Sequence, residues 1–269
     1  MANDRYVIQG GAAGRDRLRL LSEVNEPYTR SLIARAGVAD GARCLDVGCG
    51  GGEVSFLLAE AVGDSGEVVG VDLDEAQLEI VRGEAAEKGV ANVRFEHHDV
   101  TSWEPDSPFD FVYARYILTH LADPGGFLLA VCRHLRPGGM VLVEDIDFRG
   151  HFSEPDCPAL GRAVALYTAT VRKRGADPNI GPRLPGLLRD AGLANVGMNL
   201  VHPARMEPGG IKELIALTAL RIGETAVSDG LATEAEMQET VSELYAFAEN
   251  PETVLGGPRI FQAWGTASP

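Results

Sequence analysis

From Arg43 to Asp145 short apolar runs alternate with amphipathic stretches, the pattern of βαβ units that build a parallel sheet with helices on both faces. The apolar runs predict strands at Arg43–Val47, Glu67–Asp72, Phe109–Ala114 and Gly139–Asp145, with a weaker one at Val93–His98. Glu53–Val62, Asp74–Lys88 and Asp123–Leu135 read as helices. Asp74 is placed to cap the second of these, because its short carboxylate can accept from first-turn N–H groups. The Arg136-Pro-Gly-Gly turn stops the third helix and feeds the next strand.

Outside this core the pattern changes. Arg15–Ala36 carries leucines at helical spacing and predicts one or two helices covering the sheet edge or the pocket. His151–Asp177 lacks strand alternation and predicts a helix around Leu160–Arg172. A helix at Arg183–Ala191, a strand at Asn195–Val201, two helical patterns within Glu207–Asn250 and a strand at Arg259–Gly265 complete the chain. Together these elements predict an α/β fold: a doubly wound, Rossmann-like seven-stranded sheet with the last strand antiparallel beside its predecessor, plus a helical lid. The expected organisation is a helical cap over 1–36, a core assembled from 37–147, 176–206 and 256–269, and lid insertions at 148–175 and 207–255, all in a single domain. The second insertion falls over the carboxyl ends of the strands, where open α/β sheets bind ligands.

Composition narrows the class. Apolar residues are 45% of the 269 but are broken every few positions, so no run approaches the ~20 that a membrane span needs. The first ten residues, MANDRYVIQG, lack a basic segment followed by an apolar stretch, and the cytoplasm is the expected location. Cys44, Cys49, Cys132 and Cys157 form no CxxC pair, so neither disulfides nor zinc are expected. A formal net charge of −15 repels phosphate backbones and argues against nucleic acid as a partner.

The sharpest motif is Asp46-Val47-Gly48-Cys49-Gly50-Gly51-Gly52-Glu53, directly after the first strand and before a helix. Glycines there allow positive φ and close approach of the backbone to a ligand, and the helix behind offers unpaired N–H groups. Such a turn alone also fits a dinucleotide site. Asp72, at the end of the second strand, can accept from both ribose hydroxyls, so loop and carboxylate together specify a nucleoside. A carboxylate at Asp46 would repel a pyrophosphate and suits a cationic amino-acid moiety, which favours a nucleoside carrying an amine and a sulfonium.

DVGCGGG following RCL, then VVGVDLD, HDV, FDFVYARYILTH and LRPGGMVLVED, in that order, resemble the successive motifs of the class I S-adenosylmethionine-dependent methyltransferases, over roughly Ala36–Asp147. The flanks, with RDRLRLL and NIGPRLPGLLRDAGL, are similar to small-molecule members. The resemblance implies S-adenosylmethionine as cofactor. It implies that Asp46 faces the methionine amine, that Gly48, Cys49 and Gly50 pass under the cofactor, that Asp72 binds the ribose and that Leu73 packs on the adenine. It further implies that Asp99 takes the adenine amino group with a backbone contact from Val100, and that Ala114 and Arg115 lie beside the transferred methyl. Tyr6 and Arg17 are further candidates for the methionine carboxylate. Asp99 also reads as a turn-forming aspartate, and Arg115 and His120 read equally as a helix-capping cation and a satisfied surface histidine.

Methyl transfer from a sulfonium needs alignment and a dry cavity more than covalent help. Where the acceptor must lose a proton, a histidine is the natural base near neutral pH. His120, just past the fourth strand, is the first candidate and His151, opening the lid, the second. Glu144, Asp145 and Asp147 are not expected to hold a metal, because adjacent strand residues point to opposite faces, and read instead as one or two carboxylates at the cofactor pocket rim. His97 and His98 diverge for the same reason. Phe152, Leu160, Tyr167, Leu214, Leu217, Leu220 and Tyr245 suggest an apolar acceptor pocket, or the lid's own core. The expected partner is a small-molecule acceptor of natural-product type, and the cap and lid helices are the candidates for a homodimer contact. Three other readings stay open: a protein using the sulfonium only as a fixed charge in a rearrangement, a nicotinamide-dependent oxidoreductase, and a binding module that has lost activity, against which the intact loop argues.

Overall fold

A computed structural model describes residues 12–269. Helix α1 (Ala12–Ala36) is one continuous helix with Pro27 inside it. Then follow β1 (Arg43–Val47), α2 (Glu53–Val62), β2 (Glu67–Asp72), α3 (Glu75–Lys88), β3 (Val93–His97), β4 (Phe109–Arg115), α4 (Pro124–Cys132) and β5 (Leu135–Asp147). The lid and closing elements are β6 (Phe152–Glu154), α5 (Pro158–Lys173), α6 (Leu184–Asp190), β7 (Ala194–Val201), β8 (Ala204–Arg205), α7 (Ile211–Ser228), α8 (Glu234–Glu249), β9 (Val254–Gly256) and β10 (Arg259–Thr266).

Seven strands form one sheet in the order β3-β2-β1-β4-β5-β10-β7. β1 to β5 pair in parallel, and β10 runs antiparallel to both β5 and β7, as the apolar pattern predicts. The central strands read as near-continuous apolar runs because helices cover both faces: Leu45, Val69, Val112 and Val141 are fully buried. Strand order reverses between β1 and β4, which places a ligand crevice at their carboxyl ends. Asp74 caps α3 as expected, its Oδ1 accepting from Ala76 N at 3.1 Å and Gln77 N at 3.3 Å.

Two local readings are corrected. The helix predicted to reach Leu135 stops at Cys132, and the Arg136-Pro-Gly-Gly segment lies inside β5. Phe109 pairs with Leu135 and Phe111 with Met140, so these residues bulge out of the ladder. Gly138, at φ +74°, lets the chain turn there without leaving the sheet. The segment after His151 also carries a strand: β6 pairs with β9, and β9 with β8, in a small second sheet.

The helices outside the sheet make one layer. Leu160, Ala163, Tyr167 and Val171 of α5 share a core with Leu214, Ile215 and Ile222 of α7 and Leu244 of α8, and Leu20, Leu21 and Val24 of α1 pack against it. Phe148, just past β5, belongs to the same core, and Tyr116, just past β4, packs on it. The layer therefore meets the sheet at its carboxyl edge. Of the apolar residues considered for an acceptor pocket, Leu160, Tyr167 and Leu214 are spent on this internal packing, while Phe152 and Leu220 are exposed. Among the described residues, no helix is long and apolar enough to cross a membrane.

Candidate cofactor and acceptor site

The loop between β1 and α2 turns on three glycines at positive φ: Gly48 (+64°), Gly50 (+51°) and Gly52 (+79°). A Cβ at Gly52 would lie 2.3 Å from Val81 Cγ2 and 3.0 Å from the Phe95 ring, so this position excludes any side chain. Gly48 N and Cys49 N donate to Val71 O at 2.8 and 3.1 Å, tying the loop to β2. No side chain caps α2, so its first-turn N–H groups meet no capping oxygen from Gly52.

Asp46 lies buried beneath this loop and accepts from Ser55 Oγ of α2 at 2.6 Å. Burial pushes its carboxyl up to about 7, against the opposing pull of the Ser55 hydroxyl and the Arg115 guanidinium. Asp72 is half-buried at the end of β2, where one oxygen accepts from Gly50 N at 2.9 Å and the other from Asp74 N at 3.0 Å. Leu73 beside it leaves 51% of its surface exposed, a large apolar side chain open at a polar strand end. Its carbonyl accepts from His97 Nε2 at 3.1 Å, a support that neighbouring histidines in a strand do not reveal by themselves.

Asp99 forms the turn that its sequence allows: Oδ1 accepts from Thr101 N at 2.9 Å and Thr101 Oγ1 at 2.6 Å. The side chain is exposed. Val100 is buried, and its carbonyl accepts from His134 Nε2 at 2.9 Å. Trp103 stacks on His98 at 4.7 Å and braces the same turn.

On the other side of the crevice, Ala114 is buried in β4 and Arg115 Nη1 donates to Thr29 Oγ1 of α1 at 3.3 Å. Arg115 is thus a half-buried partner in a polar network and not a helix-capping cation. The next residue, Tyr116, has φ 58°, uncommon for a ring-bearing residue, and turns the chain sharply at the strand end. His120 closes a short 3-10 turn, Leu118–His120. It is not a surface histidine: burial, then the Arg17 charge, lower its imidazole to about 3. Arg17 Nε donates to Thr218 Oγ1 of α7 at 3.1 Å, and its charge also reaches Tyr116. The structure therefore brings Arg17, Tyr116, His120 and Thr218 together where α1 and α7 cross the ends of β4 and β5. Leu18 of α1 lies 3.9 Å from where a Cβ at Gly50 would stand, so the same helix covers the glycine loop. Tyr6 lies outside the described residues.

His151 stands apart, on the β6 side. Its Nδ1 donates to Phe148 O at 2.8 Å, and burial lowers its imidazole to about 4. It lines a cavity of about 390 Å³ with Phe152, Cys157, Leu160 and Val164. A larger groove of about 910 Å³ runs along the opposite, amino-terminal ends of β2 and β3, remote from the glycine loop.

The three acidic residues of β5 divide as strand geometry requires. Glu144 is buried towards α1, Asp145 accepts from Thr119 N at 3.0 Å and Ile146 N at 2.8 Å, and Asp147 pairs with Arg149 and Arg259. Asp145, one of the carboxylates that the sequence offers for the pocket rim, pins the 3-10 turn carrying His120 to β5, and burial pushes it up to about 7. Among the described residues, no group of three or more His, Cys, Asp or Glu could hold a metal ion.

A glycine turn, an acidic residue at or next to the end of each of β1 and β2 and an exposed leucine beside the second meet at the carboxyl ends of a Rossmann-like sheet, and their chemistry fits an adenosyl group bearing a cationic amino acid. A family profile described as "Methyltransferase domain" matches residues 39–174. A demethylmenaquinone methyltransferase of Staphylococcus aureus is 32% identical over 164 residues, which cover 60% of this chain and 65% of the relative. Among solved structures, the YcgJ protein of Bacillus subtilis superposes with a TM-score of 0.60 at 19% identity, covering 90% of this chain and 99% of that one. Phosphoethanolamine N-methyltransferase 2 of Haemonchus contortus, solved with S-adenosyl-L-methionine, gives 0.52 at 17% identity over 99% and 54%. These two share the fold. The chain belongs to the methyltransferase-domain family, the class I S-adenosylmethionine-dependent methyltransferases.

Proposed function

We propose that this chain transfers the methyl group of S-adenosylmethionine to a small-molecule acceptor of natural-product type. The observation that carries this reading is the opposition of two surfaces. The glycine loop with Asp46 and Asp72 lies on one side of the crevice, and the apolar layer of α1, α5, α7 and α8 closes the other. The cofactor supplies an activated methyl carbon, and the chain's residues hold, orient and exclude water. Asp72 holds the ribose, Leu73 covers the adenine, and Asp99 with the N–H of Val100 reads the adenine edge, the Val100 carbonyl being taken by His134. Gly48, Cys49 and Gly50 pass under the cofactor, while Ala114 and Arg115 border the methyl.

The acceptor enters between α1 and α7. There His120 is neutral at physiological pH and a second charge beside Arg17 is disfavoured, so it orients an acceptor hydroxyl or amine better than it takes the proton. His151 serves the β6 side of the lid, with its Nε2 as the acceptor atom.

The test is incubation with methyl-labelled S-adenosylmethionine and a panel of small phenols, amines and quinols. Label in a small molecule, with S-adenosylhomocysteine released in equal amount, is the expected result. Label only in protein or RNA, or tight cofactor binding with no S-adenosylhomocysteine formed under any acceptor, would overturn the reading.

Cofactor affinity should also depend on pH through Asp46. A carboxyl near 7 is about one-tenth ionised at pH 6 and about nine-tenths at pH 8. Because the methionine amine favours the ionised form, affinity for S-adenosylhomocysteine should rise about 10-fold across that range. Asp46→Asn should flatten the dependence. Calorimetry at pH 6, 7 and 8 measures both, and a pH-independent wild type would remove Asp46 from the amine contact.

A further inference from the structure

Lys212 is the buried charge that the proposed reaction leaves unused. A lysine in the first turn of an amphipathic helix ordinarily keeps its ammonium in water, yet Lys212 is 0% exposed. Its Nζ donates to Met206 O at 2.7 Å, Asn250 O at 2.7 Å, Thr253 O at 3.1 Å and Thr253 Oγ1 at 2.8 Å. The Thr253 hydroxyl lies 2.8 Å from Phe247 O and 2.9 Å from Asn250 O, so it donates its own proton there and turns a lone pair to the ammonium. All four acceptors are neutral. A shell of carbonyl and hydroxyl oxygens at such distances replaces the hydration of a monovalent cation.

The oxygens come from both feet of the α7–α8 hairpin. Met206 lies between β8 and α7, Asn250 caps the end of α8, and Thr253 precedes β9. Burial lowers the lysine's pKa, the nearby Glu207 carboxylate opposes that, and the Arg205 guanidinium adds to it.

We propose that Lys212 is a tethered monovalent cation: its ammonium fills an oxygen cage that clasps the base of the α7–α8 hairpin and so positions α7, with Thr218 against Arg17, over the crevice. The clasp stands on this geometry alone. Only its consequence for the acceptor rests on the methyl-transfer reading.

Lys212→Ala removes three methylenes and the ammonium, leaving a hole shaped for n-propylammonium. The thermal midpoint of the variant should fall by roughly 5–10 °C. Millimolar n-propylammonium chloride should restore it saturably and potassium chloride partly, whereas 1-propanol and tetramethylammonium chloride should not, and wild type should respond to none. Rescue by 1-propanol equal to that by n-propylammonium would reduce the site to an apolar hole and overturn the proposal. Should the variant fail to fold, its refolding yield with each additive gives the same discrimination. In the wild type, nitrogen-15 NMR of labelled lysine should show one slowly exchanging ammonium at pH 7 that is lost in Lys212→Met. Its absence would equally overturn the cage. None of these readouts involves methyl transfer, so their failure and that of the proposed function are separate results.

Discussion

Asp72→Ala is expected to weaken S-adenosylhomocysteine binding by at least about 100-fold. Two ribose hydroxyls donating to one carboxylate are charge-assisted bonds worth about 1.5–3 kcal/mol each, which together correspond to roughly 10²–10⁴ in affinity. The carboxylate also accepts from Gly50 N and Asp74 N, so its loss loosens the loop that passes under the ligand. Asp72→Asn, which keeps one acceptor oxygen, should lose about 10-fold, in line with one bond of about 1.4 kcal/mol. Because Asp72 is half-buried and not part of a core cluster, the thermal midpoint should move little, which separates lost recognition from lost structure. Calorimetric titration of wild type and both variants with S-adenosylhomocysteine, and with NAD, decides the matter. Unchanged affinity in Asp72→Ala would dislodge the ribose from β2, and binding of NAD alone would return the loop to the dinucleotide reading.

What the chain discloses in one dimension follows from how local the interaction is. Runs such as VVGV of β2 are buried on both faces, and that state has a compositional mark that survives without any knowledge of neighbours. The loop glycines and Asp72 are legible because their chemistry is fixed by adjacency to a strand end. Asp99 is a different case, since the same short side chain forms the turn through one oxygen and leaves the other for the proposed adenine contact. The RPGG segment misleads because its turn chemistry ordinarily separates two elements, whereas here a bulge turns the chain within one strand. His120 and Arg115 could not be placed because burial by α1 and α7 comes from residues about 100 positions away in either direction. Lys212 is the extreme instance: in sequence it is one more charge on an amphipathic helix, and only closure of the hairpin brings Met206, Asn250 and Thr253 around it.

The same long-range logic makes Glu144 the residue whose loss should cost the most stability. It is 1% exposed on β5, and its two oxygens accept from Thr29 Oγ1 of α1 at 2.7 Å, from the Tyr113 hydroxyl of β4 and from Gln262 Nε2 of β10. The Arg115 guanidinium lies beside it and bonds to the same Thr29. Gln262 extends the network, donating to Tyr28 O at 3.1 Å and accepting from Arg35 Nη2 at 3.2 Å. Glu144→Ala therefore strands three buried donors and an arginine at once. Removing one partner of a buried, bonded charge costs about 3–5 kcal/mol, because the remaining charge keeps its desolvation penalty. For a chain of this size that lowers the thermal midpoint by roughly 10 °C. Glu144→Gln preserves shape and one acceptor but turns an amide N–H towards existing donors, so about half the loss is expected. Urea and thermal unfolding measure both, and a loss below about 1 kcal/mol for alanine would mean that apolar packing alone seats α1. Since α1 also covers the glycine loop through Leu18, the alanine variant should bind S-adenosylhomocysteine more weakly although Glu144 lies too deep to touch it. Affinity unchanged in a clearly destabilised protein would show that the loop and Asp72 hold the cofactor without the helix above them.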